Sequence, residues 1–128
     1  MRILHVIFLL SALVSPLLAI RFLFASDISC DNDEVFEFRI SYWNGEEIQI
    51  APDRVLTARK NLFFFHEGSA ESIIDPYGVH ALIGHNCTKD GKRDQLKYYF
   101  KNVTNEKVVW RLDYAVNLST DKSNHPDH

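Results

Sequence analysis

The sequence lacks the motifs that mark several common classes of enzyme and nucleic-acid-binding protein. It contains no glycine-rich phosphate loop, no zinc-site spacing and no nucleophile elbow. It also has no internal repeat, no low-complexity block and no long linker, which argues against a solenoid or a multidomain chain. We therefore expect a single domain that is not an enzyme, with no catalytic residues, no cofactor and no metal site.

Basic charge is scarce as well. The 128 residues carry 14 Lys and Arg against 17 Asp and Glu, so the formal net charge is −3. Loss of residues 1–19 would remove Arg2 and no acid, which leaves 13 basic against 17 acidic residues and a formal charge of −4. The charges are interspersed and form no basic patch, so we expect no nucleic-acid partner.

The longest apolar run lies at the amino terminus. Arg2 is followed by ILHVIFLLSALV and then by a small-residue end at Ala19, the three parts of a secretory signal peptide. We expect residues 1–19 to be this signal peptide, with cleavage after Ala19 or after Ala25, and the mature protein to be secreted. A retained anchor is the alternative, although Arg21 would then lie in lipid at a cost.

Cysteine is limited to Cys30 and Cys87. A bridge between them would close a loop of about 58 residues, which is worth roughly 4 kcal/mol in the chain-entropy model. Two free buried thiols are the alternative. The bridge suits a small domain on the oxidising secretory route.

Three tripeptides fit the N-glycosylation acceptor pattern, with Asn86, Asn102 and Asn117 as acceptors. Three such patterns behind a signal peptide favour some glycosylation. Asn102 lies beside a predicted turn. Asn86 is expected to point outward because Cys87, its neighbour on a predicted strand, points inward.

Alternating apolar residues dominate the rest of the chain, which predicts an all-β sandwich. In Val35–Trp43 and Val108–Leu118 every second residue is apolar. An Asn-Gly pair predicts a hairpin after the first of these segments. We expect the domain to span residues 20–120, and residues 121–128, DKSNHPDH, to form a disordered tail.

The middle of the chain is less regular. Glu46–Ile50 is predicted to be a short return strand that ends at Pro52, since proline cannot donate to a central ladder. Arg54–Ala58 and Leu62–His66 predict a second hairpin. One helical turn is expected to follow at Ser69–Ser72.

The run LFFF that begins at Leu62 is apolar at every position. Such a run belongs either to a strand covered on both faces or to a surface that a partner covers. Phe63 and Phe65, with Val109 and Arg111 on the last strand, are therefore the candidate binding surface.

The histidines offer little support for catalysis. His80 and His85 differ in parity and are expected to face opposite sides of one strand, so they cannot share a site. His85 is expected to be a hydrogen-bonded core residue. His125 and His128 are expected to be solvated tail residues rather than metal ligands.

Three short motifs resemble the nematode transthyretin-like family. They are a Gly-small-small-acid segment within Gly68–Ser72, the pair Pro76–Tyr77 and the His-x-Cys ending at His85–Cys87. Around them, three segments resemble the first, second and last strands of the family: Ile28–Cys30, Val35–Trp43 and Val108–Leu118.

The chain departs from the family pattern at several places. Asn61–Leu62 stands where the family usually has Asn-Gly, and Lys92–Arg93 stands where many members carry another cysteine. The second departure leaves Cys30 and Cys87 as each other's only intramolecular partner. Hydroxyisourate hydrolases share the transthyretin fold but end in Tyr-Arg-Gly-Ser, whereas this chain ends in HPDH.

The resemblance implies a secreted transthyretin-like, or immunoglobulin-like, antiparallel β-sandwich of about seven to eight strands. It also implies an extracellular binding or signalling role. One described family role is recognition of phosphatidylserine on dying cells together with an engulfment receptor, so a protein receptor or a cell-surface lipid is the expected partner. The alternative is a carrier of a small apolar ligand, held in the sandwich or at a homodimer interface, as transthyretin binds hormone between subunits.

Overall fold

A computed structural model of the protein describes residues 19–124, so residues 1–18 of the predicted signal peptide and the histidines His125 and His128 lie outside the described part. Seven strands form two sheets, with the orders β4-β1-β7 and β3-β2-β5-β6. The strands are β1 (Ile20–Ser29), β2 (Val35–Asn44), β3 (Ile48–Arg59), β4 (Asn61–Ala70), β5 (Val79–His85), β6 (Asp94–Tyr99) and β7 (Val109–Asn117). Among residues 19–124 there is no helix that could cross a membrane. The predicted all-β sandwich is confirmed.

The core lies between the two sheets because alternate residues of each strand are apolar. Phe24 on β1 and Phe38 and Ile40 on β2 are each 0% exposed. Val79 and Ile83 on β5 are buried in the same cluster. Burying a large apolar side chain contributes roughly 1.5–3 kcal/mol, so this alternation is the main source of stability.

A chain of buried hydroxyl groups crosses the apolar core. The Tyr42 hydroxyl oxygen lies 2.7 Å from Ser26 Oγ and 2.6 Å from the Tyr114 hydroxyl oxygen. The Tyr42 ring also stacks on Phe24, with the ring centroids 3.7 Å apart. Burial raises the pKa of Tyr42 to about 12, so its hydroxyl stays protonated and joins β1, β2 and β7 by hydrogen bonds.

The parallel pairing of β1 with β7 corrects the prediction of a wholly antiparallel sandwich. Its register runs from Arg21 opposite Val109 to Ser29 opposite Asn117. The other strand pairs among the described residues are antiparallel. Strand direction depends on the route of long connections, which local alternation does not encode.

β3 is one long strand and not the two short strands predicted on either side of Pro52. It lies at the edge of its sheet, where a missing backbone donor is tolerated. Its register against β2 also shifts between Ile40 and Trp43, a β-bulge or similar irregularity that accommodates the proline.

The chain passes from one sheet into the other at Lys60, so the predicted hairpin between Arg54–Ala58 and Leu62–His66 is wrong. The φ of Lys60 is 70°. β3 pairs with β2, whereas β4 pairs with β1, because the chain changes sheets at this point. The helical turn predicted at Ser69–Ser72 is also wrong, since β4 continues to Ala70 and pairs there with Ile20.

The first residues of the predicted disordered tail, 121–124, lie along the outer edge of β6. Ser123 Oγ accepts a hydrogen bond from the Lys97 N–H at 2.9 Å. Asn124 Oδ1 accepts one from the Tyr99 N–H at 2.7 Å. The tail prediction is wrong for these residues because their polar side chains satisfy backbone groups of an edge strand.

A disulfide between Cys30 and Cys87 confirms the predicted bridge, and the alternative of two free thiols is wrong. The Cα atoms are 6.1 Å apart and the residues are 57 apart in sequence. Both cysteines are buried, and Ser119 Oγ lies 3.2 Å from Cys87 Sγ. The bridge ties the end of β1 to the segment that follows β5, and so links the two sheets.

Removing the bridge with the double change Cys30→Ala and Cys87→Ala is expected to lower the free energy of unfolding by about 4 kcal/mol, because the unfolded chain regains the freedom of a long open loop. Urea unfolding followed by tryptophan fluorescence measures this loss. Ser119→Ala is the matched control, because it removes the hydroxyl group beside the sulfur atoms and leaves the disulfide intact. A double variant as stable as the native chain would contradict the expectation.

Candidate functional site

The outward-pointing residues of the sheet β4-β1-β7, here called the outer face, include all four residues of the predicted binding surface. Phe63 and Phe65 lie on β4, and Val109 and Arg111 lie on β7. Phe63 is 54% exposed, Phe65 48% and Val109 61%. Large aromatic side chains are usually buried, so this pair favours a surface for a partner over a strand covered on both faces.

The strand register determines which side chains are neighbours on the outer face. Its members are Arg21, Leu23, Ala25 and Asp27 from β1, Phe63, Phe65, Glu67 and Ser69 from β4, and Val109, Arg111, Asp113 and Ala115 from β7. Ala25 lies between Phe65 and Asp113 and is only 2% exposed, because its larger neighbours cover it. A small residue on the central strand thus lets the side chains of the two flanking strands approach each other.

Arg111 connects the charged and aromatic parts of the outer face. Its guanidinium carbon lies 5.8 Å from the centroid of the Phe65 ring, and its Nε donates to Asp113 Oδ1 at 3.0 Å. The Phe65 ring meets the Phe63 ring edge-on, with centroids 5.1 Å apart. A cation over an exposed aromatic ring contributes about 0.5–1 kcal/mol, which helps to hold this group together. The arrangement offers apolar contact beside a donor for an anionic group.

A cleft of about 500 Å³ opens at one end of the outer face. Residues from four strands line it: Arg21, Leu23, Ile50, Pro52, Glu67 and Val109. Its volume is within the range of small-molecule sites. Its lining combines the charged side chains of Arg21 and Glu67 with the apolar side chains of Leu23, Ile50 and Val109.

Two histidines of β5 serve the fold and do not share a site. The His80 ring stacks on Tyr99, with centroids 4.6 Å apart, on the side of the sheet that faces away from the core. His85 lies on the inner side, and its Nδ1 accepts a hydrogen bond from the Cys87 N–H at 3.1 Å. Their opposite orientation agrees with the prediction from parity. Within the described residues, no group of three His, Cys, Asp or Glu side chains is placed to hold a metal ion.

Sequence reasoning missed the buried polar contacts of His66. Its Nε2 lies 2.9 Å from the Pro52 carbonyl oxygen, and its ring meets Tyr42 edge-on at 5.1 Å. Burial, assisted by the charge of Arg54, lowers the pKa of His66, and burial lowers the pKa of His85. The available signal was a histidine at an inward position of β4, directly after the LFFF run.

The three candidate glycosylation sites differ in accessibility. Asn102 is exposed in a loop at φ 57°, and its side chain makes no hydrogen bond to the part of the chain that is described. Asn86 is half-buried and accepts a hydrogen bond from the Glu37 N–H at 2.8 Å. The Asn117 Nδ2, the atom that would carry a glycan, donates to Asp31 Oδ1 at 3.0 Å. Asn102 is therefore the most accessible acceptor.

Comparison with known proteins finds a partial relative. The chain is similar to Protein lin-61 of Caenorhabditis elegans, with 28% identity over 106 residues. The match covers 75% of this chain and 17% of lin-61. No family model matches the chain, and no solved structure matches it.

The two inward histidines predict that stability falls in mildly acid solution. Their pKa values in the folded chain lie below 6.5, so as the pH drops below about 6.5 the unfolded chain takes up protons first and unfolding is favoured. Urea midpoints measured from about pH 7.5 to about pH 5 should decrease, and His66→Gln with His85→Gln should flatten the decline. His128→Gln in the polar tail is the control. An equally steep decline in the double variant would contradict this assignment.

We expect Asn102 to carry a glycan in preference to Asn117, because the amide of Asn117 is held by Asp31. When the chain is expressed in secreting cells, a glycosidase should reduce the mass of the native protein. The Asn102→Gln variant should lack the part of the mass that the glycosidase removes. Asn117→Gln makes the same chemical change and should leave that mass in place. A glycan found at Asn117 with Asn102 unmodified would contradict the expected preference for Asn102.

Proposed function

We propose that this chain is a secreted, non-enzymatic binding module of the transthyretin-like type, which contacts an extracellular protein receptor or a cell-surface lipid through its outer face. The exposed pair Phe63 and Phe65, with Arg111 beside Phe65, carries this proposal. Exposed aromatic side chains beside an arginine are the residue types most enriched at the centres of protein interfaces.

The disulfide supports an extracellular location. Disulfides form and persist in oxidising compartments, and small secreted domains use them to supplement a modest core. The apolar run that ends at Ala19 and the exposed acceptor pattern at Asn102 agree with the same route.

The strand order supports a transthyretin-like assignment over an immunoglobulin-like one. In the immunoglobulin constant-type order the first strand lies beside the second. Here β1 lies between β4 and β7, in the sheet that does not contain β2. The motif resemblance of Gly68–Ser72, Pro76–Tyr77 and His85–Cys87 points to the same assignment.

The positions of the ionisable side chains support a role without catalysis. A general acid or base has to reach the substrate. Tyr42, Tyr114, His66 and His85 are instead buried and hydrogen-bonded within the fold. On the outer face Arg111 is paired with Asp113, which suits recognition more than proton transfer.

The charge balance of the outer face favours a protein receptor over a strongly anionic lipid surface. Arg21 and Arg111 are offset there by Asp27, Glu67 and Asp113. Binding to anionic lipid usually relies on a cluster of several basic residues. A surface that carries positive and negative side chains around an aromatic centre is better matched to a partner that also carries charges of both signs.

The purified protein, applied to cells and to vesicles with and without phosphatidylserine, tests this proposal. Phe63→Ser with Phe65→Ser should weaken binding at least about tenfold, because the central apolar contacts of an interface supply most of its affinity. Val55→Ser is the matched control, since Val55 is 52% exposed on β3 of the other sheet. The proposal fails if the protein binds no cell or vesicle, or if the double variant binds as well as the native chain.

A carrier of a small apolar ligand is the second candidate, favoured by the cleft that Leu23, Ile50 and Val109 help to line. Native mass spectrometry of the secreted protein should then show a co-purifying apolar compound. If the Val109→Asp variant loses this compound and the Val55→Asp variant keeps it, the carrier function is favoured over the receptor-binding module.

A further inference from the structure

Sheet edges expose backbone N–H and C=O groups that can pair with another chain, and proteins usually protect them. Three of the four edges in the described sandwich carry a feature that interrupts or partly occupies the edge. β3 is interrupted by Pro52 and a shift of register. Arg54 Nη1 donates to the Phe65 carbonyl on β4 at 2.7 Å, and Ser123 and Asn124 bond to the outer groups of β6.

The outer edge of β7 is the exception. On its inner side β7 pairs with β1, where the Arg21 N–H donates to the Val108 carbonyl and the Leu118 N–H donates to the Ser29 carbonyl. In a parallel ladder the backbone groups of alternate residues point to the same side. The even-numbered residues of β7 therefore face β1, and the odd-numbered residues face outward.

The outward-facing backbone groups belong to Val109, Arg111, Asp113 and Ala115. Further along, Asp121 Oδ2 accepts a hydrogen bond from the Asn117 N–H at 2.8 Å and so ends the open stretch. Four consecutive odd-numbered residues are thus available for an antiparallel ladder with another strand.

The side chains of this edge are complementary to themselves in one register. When Arg111 lies opposite Asp113 of a second copy, two-fold symmetry produces the same ion pair again, and Val109 lies opposite Ala115. A register shifted by two residues in one direction places Arg111 opposite Arg111. The same shift in the other direction places Asp113 opposite Asp113, and like charges directly opposite are unfavourable.

We propose that two copies of this chain associate through antiparallel pairing of their β7 edges in this register. The result is a continuous six-stranded sheet, β4-β1-β7-β7-β1-β4. Arg111 and Asp113, which pair within one strand at 3.0 Å, then exchange partners between the copies. The contact is short, so the dimer is weak and depends on concentration.

Pairing at this edge leaves the outer face uncovered, so the inference does not depend on the proposed function. The two outer faces become one surface, with an aromatic pair at each end. A partner on a cell surface would meet two identical sites, which raises the effective affinity without a new contact.

Sedimentation equilibrium of the full chain, expressed in secreting cells and purified from the medium, or from membranes in detergent if it is retained there, tests the dimer. Arg111→Asp and Asp113→Arg should each weaken association by at least about tenfold, because each variant places like charges opposite one another twice. An equimolar mixture of the two variants restores opposite charges in a mixed dimer and should associate like the native chain. Near-ultraviolet circular dichroism checks that each variant is folded.

Arg21→Asp is the matched control, because Arg21 carries the same charge on the same face but lies on the central strand. It should leave the dimer unchanged. Hydrogen exchange should also slow at the amides of Arg111 and Asp113 as the protein concentration rises. A chain that stays monomeric at every concentration, a mixture that does not recover, or an equal effect of Arg21→Asp would overturn the proposal.

Discussion

Pairing of β1 with β4 on one side and with β7 on the other is the constraint on which the rest of this structure depends. Because the register with both neighbours is continuous, the odd-numbered residues of β1 are set between specific outward residues of β4 and β7. The same pairing turns Phe24 and Ser26 inward, so that Ser26 reaches Tyr42 on the opposite sheet. The outer face and the core are thus two consequences of one set of backbone hydrogen bonds.

The polar groups inside the sandwich show how the two sheets are held in a single arrangement. An apolar core tolerates small sliding, whereas hydrogen bonds between buried groups require defined positions. The hydroxyls of Ser26, Tyr42 and Tyr114 meet only when β1, β2 and β7 are correctly placed. The bridge from Cys30 to Cys87 closes the same two sheets covalently. These contacts favour one relative placement of the sheets among those that apolar burial alone would accept.

The candidate site could be predicted from sequence residue by residue, but its assembly could not. The run at Leu62 identified Phe63 and Phe65, and strict alternation identified Val109 and Arg111 as outward residues of their strand. The contact between Arg111 and Phe65 depends on β1 lying between their strands, and on Ala25 being small enough to let them approach. The contacts of His66 were missed because its partners come from β2 and β3, which meet β4 only in the folded sandwich.

The sequence by itself determined the all-β class, the inward and outward residues of its regularly alternating strands and the expected pairing of Cys30 with Cys87. These features follow from the two-residue period of a strand and from the presence of only two cysteines, which are local or compositional properties. Tertiary structure decided that β1 and β7 run in parallel, that Lys60 turns the chain between sheets and that residues 121–124 cover the edge of β6. It also left the edge of β7 open. Each of these outcomes depends on which distant strands become neighbours, and alternation along one strand carries no information about that choice.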